Sequence, residues 1–312
     1  MADKIATRQA YGEALVEIGK TNNNLVVMDA DLSGSTKTGM FAKEFPERFF
    51  NMGIAEQNMY GAATGLAMSG KVVCASTFAM FATGRAFEII RNSIGYTGAN
   101  VKICASHAGI TVGEDGASHQ TFEDIALMRT IPGMTVVNPS DATATKKLLK
   151  QIIELEGPCY FRVGRAAVPV FYGEDDDIVL GKGNLIKEGN DVTVIATGIM
   201  VNEAFEAAKL LEAEGISARL IDIHTIKPID SDIIIKAAKE TGAIVTAEEH
   251  SVIGGLGDAV AQVVVNNAPC PMAMVGQQDT FGESGKPDEL RKKYHMTAED
   301  IIEAVKKIVS ER

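Results

Sequence analysis

The sequence has no tryptophan, and aromatic residues fill only 6% of its 312 positions, so any core it builds is aliphatic. Positive charge is also short. Against 41 aspartates and glutamates stand 30 lysines and arginines, a formal net charge of -11. Nucleic acids and anionic membranes bind basic faces, so the balance argues against both as partners. It leaves room for a phosphorylated small molecule, which needs only a few local cations. None of the four cysteines (Cys74, Cys104, Cys159, Cys270) falls in a C-x-x-C pair. The first three lie in apolar, strand-like runs and are expected to be buried free thiols, not a disulfide framework or a zinc site. No apolar run reaches the ~18 residues of a membrane span. The first ten residues, MADKIATRQA, lack the apolar segment of a signal peptide, and a cytoplasmic location follows by default.

What is present is ordinary for a soluble globular protein, with 46% hydrophobic and 23% charged residues, and the length suits about two domains of ~150 residues. Over residues 1–165, short β-rich runs bounded by Gly, Asn or Pro read as buried strands: LVVMDADL (25–32), KVVCAST (71–77), NVKICAS (100–106), MTVVNP (134–139) and CYFRVG (159–164). Segments near 5–20, 55–69, 79–94 and 141–155 have helical spacing, with Ala144, Leu148, Leu149, Ile152 and Ile153 forming one apolar stripe. Strands alternating with helices predict a parallel sheet covered on both faces. Residues 166–190 are acidic and Gly-rich and read as a linker with some strand at 178–187. Alternation resumes over 191–312, giving a second, smaller α/β domain. It ends in a helix that Thr297 and Asp300 can cap.

In parallel sheets ligands bind beyond the carboxyl ends of the strands, which singles out a few loops. SHAGITVGEDGASHQ (106–120) gathers His107, His119, Glu114 and Asp115 around three glycines. It is either a Gly-rich surface turn with solvated side chains or a site where imidazoles meet a ligand closely. The spacing of these four residues matches no standard metal set, so no metal site is expected. Glu56 opens a helix that is apolar almost all round. It is either a first-turn acid favouring the helix dipole or a buried carboxylate that needs a partner or a raised pKa. Phe78 and Phe81, at a strand-to-helix turn, are either core or a shelf for a flat heterocycle. GGLGDA (254–259) is part of a dinucleotide fingerprint without its third Gly or downstream acid, and reads as packing at a helix start.

Together GIAEQNM (53–59), STFAMF (76–81), HAGITVGEDGASHQ (107–120), NPSDA (138–142) and AEEH (247–250) resemble, in order, the C-terminal half of transketolases and of the related deoxyxylulose-phosphate synthases. The resemblance covers essentially the whole chain. It implies two α/β domains: a parallel-sheet pyrimidine-binding domain over 1–165, then, after the linker 166–190, a smaller transketolase C-terminal-type domain over 191–312. The family's diphosphate motif starts Gly-Asp-Gly, and no Gly-Asp-Gly occurs here. The chain therefore resembles the C-terminal subunit of a split transketolase, which implies an N-terminal partner subunit holding Mg²⁺ and the diphosphate of thiamine diphosphate, with two copies of each subunit in a heterotetramer.

The resemblance also implies roles. Glu56 matches the glutamate that bonds the pyrimidine ring nitrogen, where a carboxyl favours the imino tautomer that activates the cofactor. Phe81 matches the stacking ring with Phe78 beside it, and Asp31 an acid near the cofactor. His107 and His119 match catalytic imidazoles of the substrate channel, and Asp115 a carboxylate that reads a substrate hydroxyl. Arg8, Ser35, His107 and Arg165 match a sugar-phosphate grip, for which guanidinium forks are well shaped. Singly, Arg8 reads as a solvated helix charge, Ser35 as a turn residue and Arg165 as a linker ion pair. Many transketolases place a second aromatic where this chain has Gly84, so one wall of the pyrimidine pocket is unaccounted for. The implied activity is transfer of a two-carbon ketol unit between phosphorylated sugars. The rivals are a 2-oxo acid dehydrogenase β-subunit, a deoxyxylulose-phosphate-synthase-like fragment, and a non-catalytic interaction subunit.

Overall fold

The structure, a computed structural model, describes residues 3–311. Fourteen strands appear along the described residues. In the first part of the chain they are β1 (Lys4–Ala6), β2 (Leu25–Asp29), β3 (Phe49–Asn51), β4 (Val72–Phe78), β5 (Val101–Ser106), β6 (Thr135–Val137), β7 (Cys159–Val163) and β8 (Ala167–Pro169). The second part carries β9 (Asn184–Lys187), β10 (Val192–Ala196), β11 (Ala218–Asp222), β12 (Thr225–Lys227), β13 (Ile244–Ser251) and β14 (Met272–Gln277). One sheet has the order β12-β6-β7-β5-β4-β2-β3, and another β14-β13-β10-β11-β9. Within each, neighbours run parallel except β12 against β6 and β9 against β11. The central strands β2, β5, β7, β10 and β11 are buried along their whole length, as runs such as LVVMD and VTVIA require when helices cover both faces of a sheet. The fold is thus α/β with a parallel sheet followed by a smaller one, as expected.

The five strands expected over 1–165 are all present, with ends shifted by one to three residues, and so are the helices Thr7–Gly19, Glu56–Met68 and Ala142–Glu154. Thr297 and Asp300 form the expected capping box. Cys74, Cys104 and Cys159 are buried free thiols. The segment 79–94 differs from a plain helix. It forms two wide π-helical turns, Phe81–Arg85 and Ile90–Gly95, around one α-turn. Thr83 Oγ1 donates back to the Ala79 carbonyl at 2.8 Å, and Gly84 weakens local helix preference. The helices Gly39–Glu44, Asp124–Thr130 and Pro287–Lys293 were not anticipated. Within 166–190, β8 pairs with β1, β9 joins the second sheet, and Tyr172 and Ile178 pack into the apolar layer beneath the helices 7–19 and 142–154.

The two sheets share a core. Ile103, Ile125 and Met128 of the first part belong to one buried cluster with Ile195, Ile221, Leu256 and Val260 of the second. No helix among the described residues is long and apolar enough to cross a membrane.

Candidate active site

Strand register lines up the side chains of interest. On adjacent parallel strands Phe78 stands opposite Ser106, and Ser106 opposite Val163, so the ends of β4, β5 and β7 form one edge. β2 lies beside β4, with Asp29 opposite Ser76. Phe78, His107 and Arg165 therefore emerge side by side, and the segment 30–38 reaches the same edge, with Lys37 among the charges around His107. The helix Thr7–Gly19 is tied to the same edge. Thr7 Oγ1 accepts from the Gly164 amide at 2.7 Å, and the Arg8 amide donates to the Gly164 carbonyl at 3.3 Å. That tether sets Arg8 beside Arg165, close enough that Arg165, after burial, pulls the Arg8 guanidinium below its usual range.

His107 is the hub of this edge. Arg8 Nη1 donates to the Ser35 carbonyl at 2.8 Å and lies 3.3 Å from His107 Nε2. A guanidinium has only donors, so His107 Nε2 accepts, and its Nδ1–H points to Ser106 Oγ at 2.9 Å. Burial first, then Arg8, Arg165, His119 and Lys37, push the His107 pKa down to about 3. The ring is neutral at physiological pH. It stacks on Phe78 with centroids 3.9 Å apart, and Phe78 in turn is stacked with Phe81 at 6.0 Å. His119 meets Phe81 edge-on at 5.3 Å. Asp31, Lys37 and His107 all take left-handed backbone, at φ 65°, 72° and 57°. Such strain concentrates where surroundings over-determine a conformation, often at functional sites.

Glu56 begins its helix as expected and is buried. Its partner is Arg85, whose Nη1 donates to both carboxylate oxygens at 2.9 Å. Arg85 also sits over Phe81, 4.6 Å from the ring centroid. A line of contacts thus runs from Glu56 through Arg85, Phe81, Phe78 and His107 to Arg8, with Ser35 held at its far end. Arg165 reaches the same region from the end of β7, donating to the Val112 carbonyl and pairing with Glu114 at 2.8 Å. Asp31 and Asp115 stand outside this line. Asp31 is exposed and accepts from Asn51 Nδ2 at 3.0 Å, and Asp115 is exposed with no hydrogen bond to the others. Ser35 joins through its carbonyl. Beside Gly84 lies the Met80 side chain, and the glycine borders a cavity of ≈ 280 Å³ that Phe281 also lines.

The loop 107–120 is not a solvated turn over its first half. Residues 107–113 are buried, while Glu114, Asp115, Ala117 and Ser118 are exposed. The second sheet holds it from behind. Glu249, on β13, accepts from the Thr111 amide at 2.6 Å. Gly109, at φ 76°, lets that carboxylate pass, because a Cβ there would sit 2.3 Å from Glu249 Cδ. Among the described residues no three His, Cys, Asp or Glu side chains come together as a metal set. The run 254–259 starts a helix whose first amides, Leu256 and Gly257, donate to Glu248 at 2.7 and 2.8 Å, so a carboxylate of the chain fills that helix end.

Sequence reasoning missed Arg85, Lys37, Asn51 and Asp29. Burial raises the Asp29 pKa, yet its oxygens anchor the loop 30–38 through Leu32 N, Thr36 Oγ1 and Thr38 Oγ1. The available signal for Arg85 was its place four residues after Phe81, one turn on. The others depend on contacts between distant segments and left no local mark.

Residues 3–170 match the transketolase pyrimidine-binding domain and residues 181–301 the transketolase C-terminal domain. A putative transketolase C-terminal section from Methanocaldococcus jannaschii is 53% identical over 96% of this chain and 94% of its own length. A 6-deoxy-6-sulfo-D-fructose transketolase subunit from Clostridium sp. is 40% identical over 98% of this chain and 95% of its own. A solved split-gene transketolase, described as an inactive β4 tetramer, superposes with a TM-score of 0.92 at 57% identity, covering 98% of this chain and 99% of that one. This chain belongs to the transketolase family, whose pyrimidine-binding and C-terminal domains it carries.

Proposed function

We propose that this chain is the C-terminal subunit of a two-subunit transketolase, which moves a two-carbon ketol unit from a ketose phosphate to an aldose phosphate with thiamine diphosphate. The observation that carries this reading is the line of contacts joining a buried carboxylate and an aromatic face at one end to a paired-guanidinium edge at the other. The donor set suits the cofactor's pyrimidine, since Glu56 offers a carboxyl to a ring nitrogen beside the face of Phe81. When bound, thiamine diphosphate supplies the carbanion stabilisation that cleavage beside a ketose carbonyl needs. Glu56 would hold a proton at the pyrimidine nitrogen, Phe81 and Phe78 would orient the ring, and Asp31 would stand near it toward the partner. His107, held neutral, would exchange hydrogen bonds with substrate oxygens, His119 would exchange hydrogen bonds and protons with them, and Asp115 would read a hydroxyl. Arg8, Arg165 and Ser35 would seat the anionic end.

In this reading residues 1–165 form the pyrimidine-binding unit, 166–190 the connection and 191–312 the C-terminal unit. With no Gly-Asp-Gly in the sequence, an N-terminal subunit would supply Mg²⁺ and the diphosphate site, in a tetramer with two copies of each chain. The inactivity of the 57%-identical β4 tetramer fits that requirement.

The test is reconstitution. The chain, the N-terminal subunit, thiamine diphosphate and Mg²⁺ together should cleave ketose phosphates, and the chain alone should not. In the assembly Glu56→Gln should cut kcat by about 10³, within the range for a proton-handling group. Arg165→Ala should raise KM for phosphorylated sugars roughly tenfold or more, the worth of a hydrogen bond to a charged group, with kcat nearly kept. Full activity of the isolated chain, or decarboxylation of pyruvate in place of ketose cleavage, would refute the reading. Because a relative carries a sulfonated sugar in its name, the substrate panel should include sulfonates, which guanidinium pairs also seat.

A further inference from the structure

Two buried carboxylates in the first part of the chain pair with arginines in very different ways. Asp124 meets Arg162 in a fixed arrangement. Arg162 Nε donates to Asp124 Oδ2 at 2.7 Å, its Nη2 donates to the Glu249 carbonyl at 2.8 Å, and both side chains are almost fully enclosed. Glu56 meets Arg85 loosely. The Glu56 side chain is 1% exposed while that of Arg85 is 48% exposed, so the guanidinium reaches in from solvent. One nitrogen, Nη1, serves both oxygens, where the strong geometry uses two parallel N–H bonds. Arg85 ends the π-helical turn Phe81–Arg85, directly after the exposed Gly84. Wide turns of this kind are rare and recur at functional sites.

This guanidinium bridges Glu56 and Phe81. It offers an N–H to Glu56 while its carbon lies 4.6 Å from the centroid of Phe81. A flat nitrogen heterocycle bound between Glu56 and Phe81 would need the same two contacts. We propose that Arg85 is a placeholder for the pyrimidine. It pairs Glu56 and covers Phe81 in the cofactor-free chain, and it swings out to solvent when the ring enters. The inference rests on the thiamine-diphosphate reading of the site. It explains how a buried carboxylate is tolerated before the cofactor arrives, since an unpaired one would be expensive. It also implies that cofactor binding works against the Glu56–Arg85 pair.

Cofactor affinity tests this directly. The chain would be assembled with the N-terminal subunit at fixed Mg²⁺, and the Kd of thiamine diphosphate measured by calorimetric titration for wild type, Arg85→Met and Arg85→Lys. Methionine keeps the apolar stem and removes the guanidinium. The expected result is a Kd about five- to tenfold tighter in Arg85→Met and intermediate in Arg85→Lys, together with a lower urea midpoint for the Arg85→Met chain by itself. If Arg85→Met does not assemble, Arg85→Gln carries the same expectation. A merely structural Arg85 would lower the urea midpoint without tightening the cofactor, so an unchanged or weaker Kd overturns the placeholder role. If the wild-type assembly binds no thiamine diphosphate, the functional reading falls and this inference with it. Tight wild-type binding with an unimproved variant removes the inference alone.

Discussion

Held neutral among cations, His107 shows how the site sets the chemistry of a single residue. Its pKa is pushed down to about 3 by burial, then by Arg8, Arg165, His119 and Lys37, while an unfolded histidine titrates near 6.5. The folded chain binds fewer protons than the unfolded one between those values. The contribution to stability is therefore fully present above about pH 6.5 and is lost as pH falls toward 3, by at most ~1.4 kcal/mol per pH unit. Urea unfolding from pH 7 to 4 should show this slope, and His107→Gln should reduce it. Glu56 was legible as a buried acid because its helix is apolar nearly all round. Its partner was not, because Arg85 lies 29 residues away and any nearby cation fitted the pattern equally well. Asp115 stood out for its company in a dense polar loop, yet it is exposed and apart from the contact line, since neighbours in sequence face different ways on a loop of 3-10 turns.

Between elements, carboxylates tie the loops to the strands. The loop after β6, the end of β11 and the segment around Tyr172 meet at Asp222. Ser140 Oγ donates to it at 2.6 Å and Tyr172 OH at 3.0 Å, while its other oxygen is buried without a partner. Burial, with Asp141 adding, pushes its pKa up to about 7 against the two hydrogen bonds. Here the folded chain binds more protons than the unfolded one, so the stabilisation is fully present below the unfolded value near 3.9 and is lost as pH rises through 7. Asp222→Asn keeps an oxygen for both donors and removes the charge. It should leave stability below about pH 4 little changed and raise the urea midpoint by a margin that grows from pH 4 to 7. A midpoint difference that does not grow with pH would contradict the assignment. At this scale the parallel strands were legible as short apolar runs, whereas the π-helical turns were not, because π and α turns share one apolar spacing over a single turn.

At the scale of the molecule, the two sheets behave as one body. The buried cluster containing Ile103 and Met128 also contains Ile195 and Val260. Strand β12, from beyond the second sheet's first strands, pairs with β6 of the first. Arg162 binds Asp124 on one side and the Glu249 carbonyl on the other, with Tyr160 OH also donating to Asp124 at 2.6 Å. Burial alone would raise the Asp124 pKa, but Arg162, His250 and Tyr160 together outweigh it and hold the carboxyl below its usual range. Calorimetry should accordingly find a single unfolding transition for the chain. Arg162→Met, which strands a buried carboxylate, should cost about 3–5 kcal/mol and destabilise both parts together. Two separable transitions would refute the shared core.

By itself the sequence determined the α/β alternation, the places where strands end, and the residue types gathered at those ends, because strand burial and helix amphipathicity are written in local periods of two and 3.6 residues. Its motifs, in their order, resemble those of the transketolase family. Only the tertiary structure decided which of those residues meet. The register of β4 against β5 and β7 stacks Phe78 on His107, the Thr7–Gly164 tether places Arg8 by Arg165, and the turn at Phe81–Arg85 delivers a cation to Glu56. These contacts join segments tens of residues apart, and their energies depend on distance and burial, which no local pattern encodes.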